Sequence, residues 1–325
     1  MKKAILAILK TVVPLGLGVF LIWLAYNKLT SEQIERAKSA IFEMNYFYLV
    51  VSVLLGILSH ASRAWRWKYP LEALGYKPRF WNSFFTVMIG YFANLGIPRS
   101  GEVLRCGVMA KYENMSFNKL VGTVIAERVA DFILLIASIC LALLLQADLI
   151  LDTLAMGKEK FTPLNLLILS GGLVFLVVGL LILRKSENSF ILKIKGFVDG
   201  ILEGVKTIFT MDKKWAFIGH TIFIWLMYFM MFQVTFYALP ELSVVPFSGI
   251  FTAFVVGGLS IALTNGGIGA YPLGISVVLA LYGLEDVGYG FGWAVWVAQS
   301  GMIVIVGLIS FIVIPEYNRI INQQS

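Results

Sequence analysis

Long apolar runs separated by short polar segments set the pattern of this chain. From Ile5 to Trp23 a single charge, Lys10, interrupts the first run. About 20 consecutive apolar residues suffice for a helix to cross the hydrocarbon of a bilayer, so such runs predict transmembrane helices. The candidates are 5–26, 46–66, 125–147, 164–183, 215–238 and 290–314. Two further apolar stretches are broken. Residues 80–97 meet Asn94, Gly96 and Pro98 and end in a charged motif, and residues 247–283 are split by Thr264-Asn265-Gly266-Gly267-Ile268-Gly269. Each reads as a re-entrant hairpin, two short helices joined by non-helical backbone. The alternative is a pair of kinked spans, which gives about eight or nine crossings at the usual span length. The expected fold is an all-α integral membrane protein with about six full transmembrane helices plus two re-entrant helical hairpins.

Basic residues orient these spans, because cytoplasmic loops carry the excess of lysine and arginine. With the N-terminus and C-terminus cytoplasmic, the outer segments hold only Lys28, Arg36, Lys38, Lys158 and Lys160 of the 26 basic residues. Arg128 is left within the membrane. This arrangement contains an inverted-topology repeat, with halves at about 1–147 and 164–315. Each half reads span, span, hairpin, span, and the hairpins enter from opposite sides. Many secondary transporters are built this way, with the substrate held between broken helices near the midplane. Two polar segments fit membrane-surface helices. Residues 190–209, within a cytoplasmic linker 184–213, place Phe190, Ile194, Phe197, Ile201, Val205 and Ile208 on one face. Residues 31–44 resemble a headgroup-level connector, opened by a capping box at Thr30 and Gln33.

Composition narrows the class further. The chain has 325 residues, 59% hydrophobic and 14% charged, well below the roughly one-quarter charge of soluble domains. One membrane-embedded unit, 1–325, is expected. The net charge is +7, but the basic residues are scattered over the loops between spans, which excludes a nucleic-acid partner. Cys106 and Cys140 stand apart, so neither a disulfide framework nor a zinc site is supported. Met1-Lys2-Lys3 before an apolar run imitates a signal peptide. Lys10 interrupts that run and no small-residue cleavage site follows Ala25, so an uncleaved first span is expected. No HExxH, GxSxG, P-loop or dinucleotide fingerprint occurs. The reading is therefore not an enzyme, without cofactor, metal or catalytic residue.

Charges at membrane depth carry the remaining information, because burial there is expensive and usually has a task. In Pro98-Arg99-Ser100-Gly101-Glu102-Val103-Leu104-Arg105 a turn leads into a helix on which Glu102 and Arg105 share a face. Arg99 stands near its N-terminus, where exposed N–H groups also attract anions. These groups suit a phosphate, or else form a solvated cytoplasmic turn. Glu127, Arg128 and Asp131 follow inside an apolar run, with Glu127 and Asp131 on one face. They need partners, such as Arg99, Arg105 or a headgroup amine. An ion-pair network and direct substrate contact are both compatible with them. Arg63 and Arg66, beside Trp65 and Trp67, read as arginines snorkelling to the cytoplasmic interface, with Arg63 deep enough to face inward. The uncharged break at Asn265, Gly266, Gly267 and Gly269 offers peptide groups to a headgroup, or only a tight turn.

The motifs at 98–105 and at Gly122-Thr123-Val124-Ile125-Ala126-Glu127-Arg128-Val129-Ala130-Asp131 resemble the lysylphosphatidylglycerol synthase transmembrane family of flippase-like proteins. Arg63, Arg66 and the Gly-Gly-Ile-Gly break at 266–269 are in keeping, and the similarity extends over about residues 5–315. The resemblance implies a lipid flippase or transporter of the bacterial plasma membrane, moving a polar phospho- or glycolipid headgroup between leaflets. The chain ends at Ser325 without a synthase domain, which implies a stand-alone member using lipid made by a separate enzyme. Arg63, Arg99, Glu102, Arg105, Glu127, Arg128, Asp131, Asn265, Gly266, Gly267 and Gly269 would line the lipid pathway. Family members often carry a proline before the glycine pair and an acidic residue after it. Here Asn265 and Pro272 hold those places, which leaves anionic, neutral and polyprenyl-linked lipids open beside aminoacylated ones. A membrane-embedded enzyme of lipid or glycolipid synthesis, with Glu127 and Asp131 as acid and base, and a scaffold for such enzymes are the alternatives.

Overall fold

The computed structural model describes residues 30–97, 100–146, 208–264 and 266–324. Helices α1 (Ser31–Glu43), α2 (Tyr46–Ala73), α3 (Phe80–Gly96), α4 (Gly101–Glu113) and α5 (Phe117–Leu145) come first. Helix α6 (Lys214–Gln233) continues into the 3-10 turns Val234–Ala238 and Pro240–Val244, then α7 (Phe247–Leu263), α8 (Ala270–Ala280) and α9 (Glu285–Gln324) follow. No strand occurs among the described residues, and the protein is an all-α integral membrane protein. Helices α2, α5, α6 with its 3-10 extension, and α9 are long and apolar enough to cross a membrane. They match the spans expected at 46–66, 125–147, 215–238 and 290–314. The expected spans at 5–26 and 164–183, the halves' boundaries at 147 and 164, and nearly all of the linker 184–213 lie outside the described residues.

Side-chain contacts fix the direction of each helix. Ser52 Oγ donates to the Met231 carbonyl (2.6 Å), Ser62 Oγ and His220 Nδ1 share a hydrogen bond (2.8 Å), and Lys213 Nζ donates to Glu72 (2.9 Å). Helices α2 and α6 are therefore antiparallel, and the end of α2 lies beside the start of α6. The α3–α4 hairpin opens from that end. At its base Glu113 accepts from Asn82 Nδ2 (2.6 Å) and from the Arg79 N–H (3.2 Å). Asn82 also exchanges side-chain hydrogen bonds with Asn318, which ties the base to the end of α9. The α7–α8 hairpin opens from the opposite end of the bundle, where Gly249 packs on Tyr282 and Gln146 donates to the Tyr282 hydroxyl (3.2 Å).

The two hairpin tips meet inside the bundle. Leu95 Cδ2 lies 3.5 Å from the position a Cβ would take on Gly266. The arms hold 17, 13, 17 and 11 residues, so each is at most about 26 Å long against roughly 30 Å of hydrocarbon. No arm is long enough to cross, and a hairpin rather than a kinked span results. Helices α2, α3–α4 and α5 thus repeat as α6, α7–α8 and α9 with every direction reversed.

Local sequence explains both tips. Gly101 abuts the Gly90 carbonyl so closely that any Cβ there would overlap it, and Asn94 Oδ1 accepts from the Gly101 N–H (2.8 Å). Close backbone approach of α3 and α4 follows from these two glycines. At the other tip Gly266, Gly267 and Gly269 adopt φ of 67°, 81° and 71°, which glycine reaches without steric cost. Trp296 Nε1 on α9 donates to the Gly266 carbonyl (2.7 Å) and holds that turn. Helix α1 is more than the surface connector expected. Ala37 and Ala40 are buried and Gly290 packs on the Ala37 backbone, because two small residues let α1 and α9 touch.

Tip contact can be measured directly. In a background lacking Cys106 and Cys140, cysteines at Leu95 and Gly266 should be joined by a short thiol cross-linker. A pair placed at Leu95 and Gly283 should stay unlinked. Equal linking of both pairs, or none at the tips, would contradict opposed hairpins.

Candidate functional site

Three helices bring charges together close to the α3–α4 tip, and a fourth adds hydroxyl groups. Helix α5 supplies Glu127 and Asp131 one turn apart. Helix α2 faces them with Arg63 and Arg66, three residues apart and so on one side of the helix. Arg63 Nη1 binds Asp131 Oδ2 (2.7 Å), and Arg66 Nη1 binds Asp131 Oδ1 (2.8 Å). Arg66 Nε also reaches Glu127 Oε1 (3.4 Å). From α4, Arg105 Nη1 binds Glu127 Oε2 (2.8 Å). Helix α6 adds Thr221, which accepts from Arg66 (3.0 Å), and Tyr228, whose hydroxyl accepts from Arg63 (3.1 Å). The Arg105 guanidinium stacks 3.6 Å over Trp67, and the Trp67 indole N–H donates to Thr123 (2.8 Å).

Burial separates this assembly into a core and a rim. Arg66 and Glu127 are 0% exposed, Arg63 3% and Arg105 4%. Isolated, such charges would be expelled, so the pairing is what permits their burial. At the rim Arg128 Nε binds Glu102 (2.7 Å) and its Nη1 lies 3.6 Å from Asp131. The side chains of Arg128 and Glu102 are 42% and 45% exposed. Among the described residues the assembly holds four guanidiniums, Arg63, Arg66, Arg105 and Arg128, against the three carboxylates Glu102, Glu127 and Asp131. A net positive charge remains. Among the described residues Arg63 Nε and Arg105 Nε and Nη2 are buried donors with no hydrogen-bond partner. Excess charge and unused N–H groups make this an acceptor-seeking site, suited to an oxyanion.

Arg63, Arg105, Glu127 and Asp131 meet in the buried core, and Glu102 and Arg128 form its accessible rim. Arg66 was expected to snorkel to the interface, and instead it is fully buried between Asp131, Glu127 and Thr221. Two carboxylates spaced one turn apart on α5 draw both arginines inward. Gly266, Gly267 and Gly269 build the opposing tip, touching Leu95 at the end of the α3 arm. Arg99 and Asn265 lie outside the described residues. Sequence reasoning missed Thr221 and Tyr228. They are uncharged and lie on an apolar helix, and no pattern short of helix pairing marks them. Among the described residues no group of histidine, cysteine or carboxylate side chains is arranged to hold a metal.

Fold and site together define an integral membrane protein with two opposed hairpins meeting beside a buried arginine–carboxylate network. The family model for the lysylphosphatidylglycerol synthase TM region matches residues 11–314, and the chain belongs to that family. A UPF0104 membrane protein of Methanocaldococcus jannaschii is 30% identical over 101 residues. That similarity covers 30% of this chain and 30% of the archaeal protein. No solved structure matches.

Core and rim differ in what they contribute to stability. Asp131→Asn leaves Arg63 and Arg66 without their shared carboxylate and should cost about 3–5 kcal/mol. Glu102→Gln removes a half-exposed pair and should cost within about 1 kcal/mol. Melting of the purified variants in detergent measures both. Equal losses would contradict the division into core and rim.

Proposed function

We propose that this protein carries a phosphate-bearing polar lipid headgroup across the bilayer, between the two hairpin tips, while the acyl chains stay in lipid. The observation that carries this reading is the net-positive arginine network, with guanidinium donors unpartnered among the described residues, which reaches the first turn of α4 through Glu102, next to the hairpin tip that meets the opposing one. Oxygen-rich anions are bound well by such donors, and the low dielectric around them strengthens the attraction. Arg128 is the accessible cation and receives the headgroup first, exchanging Glu102 for the phosphate. Arg105 supplies further donors from inside.

The inverted halves support alternating exposure of such a site to the two leaflets. Lys77, Arg79, Lys111, Lys119, Lys213 and Arg319 gather at the bundle end where the α3–α4 hairpin opens, whereas Arg36 and Lys38 stand at the other. By the positive-inside rule the α3–α4 hairpin enters from the cytoplasm, and the C-terminus is cytoplasmic. Glu127 and Asp131 are already held by arginines at 2.7 to 2.8 Å. That arrangement suits anchoring of the arginines rather than proton transfer to a substrate, and so favours transport over catalysis. The chain shows no nucleotide-binding motif, so movement is downhill or coupled to an ion. The family is named for a lipid synthase, which fits a partner enzyme that makes the cargo.

Reconstitution tests the reading. Proteoliposomes containing fluorescent phosphatidylglycerol should exchange label between leaflets faster than empty vesicles. Arg128→Gln should slow that exchange about tenfold, which corresponds to roughly 1.4 kcal/mol. The same exchange rate with and without protein would overturn the proposal.

A further inference from the structure

Next to the arginine network, His60 Nδ1 and Trp225 Nε1 join the network's own Arg63 Nε as unsatisfied polar atoms near Tyr228. Its hydroxyl accepts from Arg63 Nη2 (3.1 Å) and lies 3.3 Å from the Tyr91 hydroxyl. The His60 ring is 4.5 Å from the Tyr91 ring and 6.4 Å from that of Tyr228. Trp225 stands edge-on to Tyr228 at 6.5 Å, with Phe254 beyond it at 6.5 Å. Among the described residues, three of these neighbours carry buried polar atoms with no partner: His60 Nδ1, Arg63 Nε and Trp225 Nε1. His60 is 5% exposed and Arg63 3%, while Tyr91, Trp225 and Tyr228 are only partly buried.

A buried polar group without a partner is unfavourable, so one such atom is an exception and three around a single ring need a common cause. Arg63 Nε and Trp225 Nε1 can only donate, so what satisfies them is an acceptor. Their setting is aromatic, formed by the rings of Tyr91, Trp225 and Tyr228. Donors on aromatic walls match a neutral, hydroxyl-rich group such as a glycerol or sugar moiety. They do not match an ammonium, which brings only donors of its own and would face the Arg63 guanidinium. Arg63 joins the two regions, because one of its nitrogens binds Asp131 in the network and another binds Tyr228.

We infer that Tyr228, Trp225, Tyr91 and His60 form a subsite for the polyol part of a headgroup whose phosphate is held by the neighbouring arginines. This inference rests on the headgroup reading above and adds selection of hydroxylated over amine-bearing headgroups. The site is built to hydrogen-bond hydroxyl oxygens, so an analogue lacking them leaves buried donors unpaired and is rejected.

Binding in detergent tests the subsite without requiring transport. Wild-type protein is titrated with glycerol 1-phosphate, glucose 1-phosphate, phosphoethanolamine and inorganic phosphate, each followed by calorimetry. At least one polyol phosphate should bind about tenfold tighter than phosphoethanolamine or phosphate, and the tighter of the two names the polyol. Trp225→Phe keeps the ring and removes the donor, so it should erase most of that advantage. Tyr228→Phe is the second variant should the first misfold. Equal affinity for all four ligands, preference for phosphoethanolamine, no binding of either polyol phosphate, or an advantage that survives in both variants would overturn the subsite. Failure of lipid exchange in vesicles alongside polyol-selective binding would instead overturn translocation.

Discussion

The pairing of Arg63, Arg66 and Arg105 with Glu127 and Asp131 is the interaction on which this architecture depends. Each of these groups is too costly to bury singly. Together they join α2, α4 and α5, with α6 attached through Thr221 and Tyr228. The first half's hairpin is thereby anchored to helices that cross the membrane. A hydrophobic contact in lipid could not supply the same specificity, because lipid tails are as apolar as leucine and give helices little reason to choose a partner. Directional charge pairing gives that reason.

The network also bears on function through what it leaves unpaired. Four guanidiniums face three carboxylates, and the cation most open to the surroundings is Arg128. Its partner Glu102 stands in the first turn of α4, next to a hairpin tip. Two hairpins too short to cross bring their tips together, one closed by Asn94 and Gly101, the other by three glycines with positive φ and by Trp296. Non-helical backbone at membrane depth is tolerated only where it is buried in protein or lines a cavity. The headgroup route proposed here uses both features, the charge left over and the break in the helices beside it.

Much of this was legible in the sequence. Apolar run lengths give the four described spans, and the interruptions at Asn94-Gly96-Pro98 and at 264–269 separate the hairpins from them. The i, i+4 spacing of Glu127 and Asp131 puts both carboxylates on one face, and Arg105 is among the partners the sequence offers them. The position of Arg66 was not legible. Beside Trp65 and Trp67 it has the local signature of an interfacial arginine, and only the packing of α5 against α2 reveals Asp131 opposite it. Tyr91, Trp225 and Tyr228 escaped for the same reason, since an aromatic residue in an apolar helix reads as core until its neighbours are known. Helix α1 was underestimated because the small residues Ala37 and Gly290, which let it pack on α9, lie far apart in sequence.

The most direct test of a headgroup route at the hairpin junction is a cryo-electron microscopy map of the protein in nanodiscs containing phosphatidylglycerol. Headgroup density within hydrogen-bonding reach of Arg128 or Arg105, between Leu95 and Gly266, is the predicted result. Lipid confined to the outer surfaces of α5 and α9, with the space between the tips closed by side chains, would contradict it.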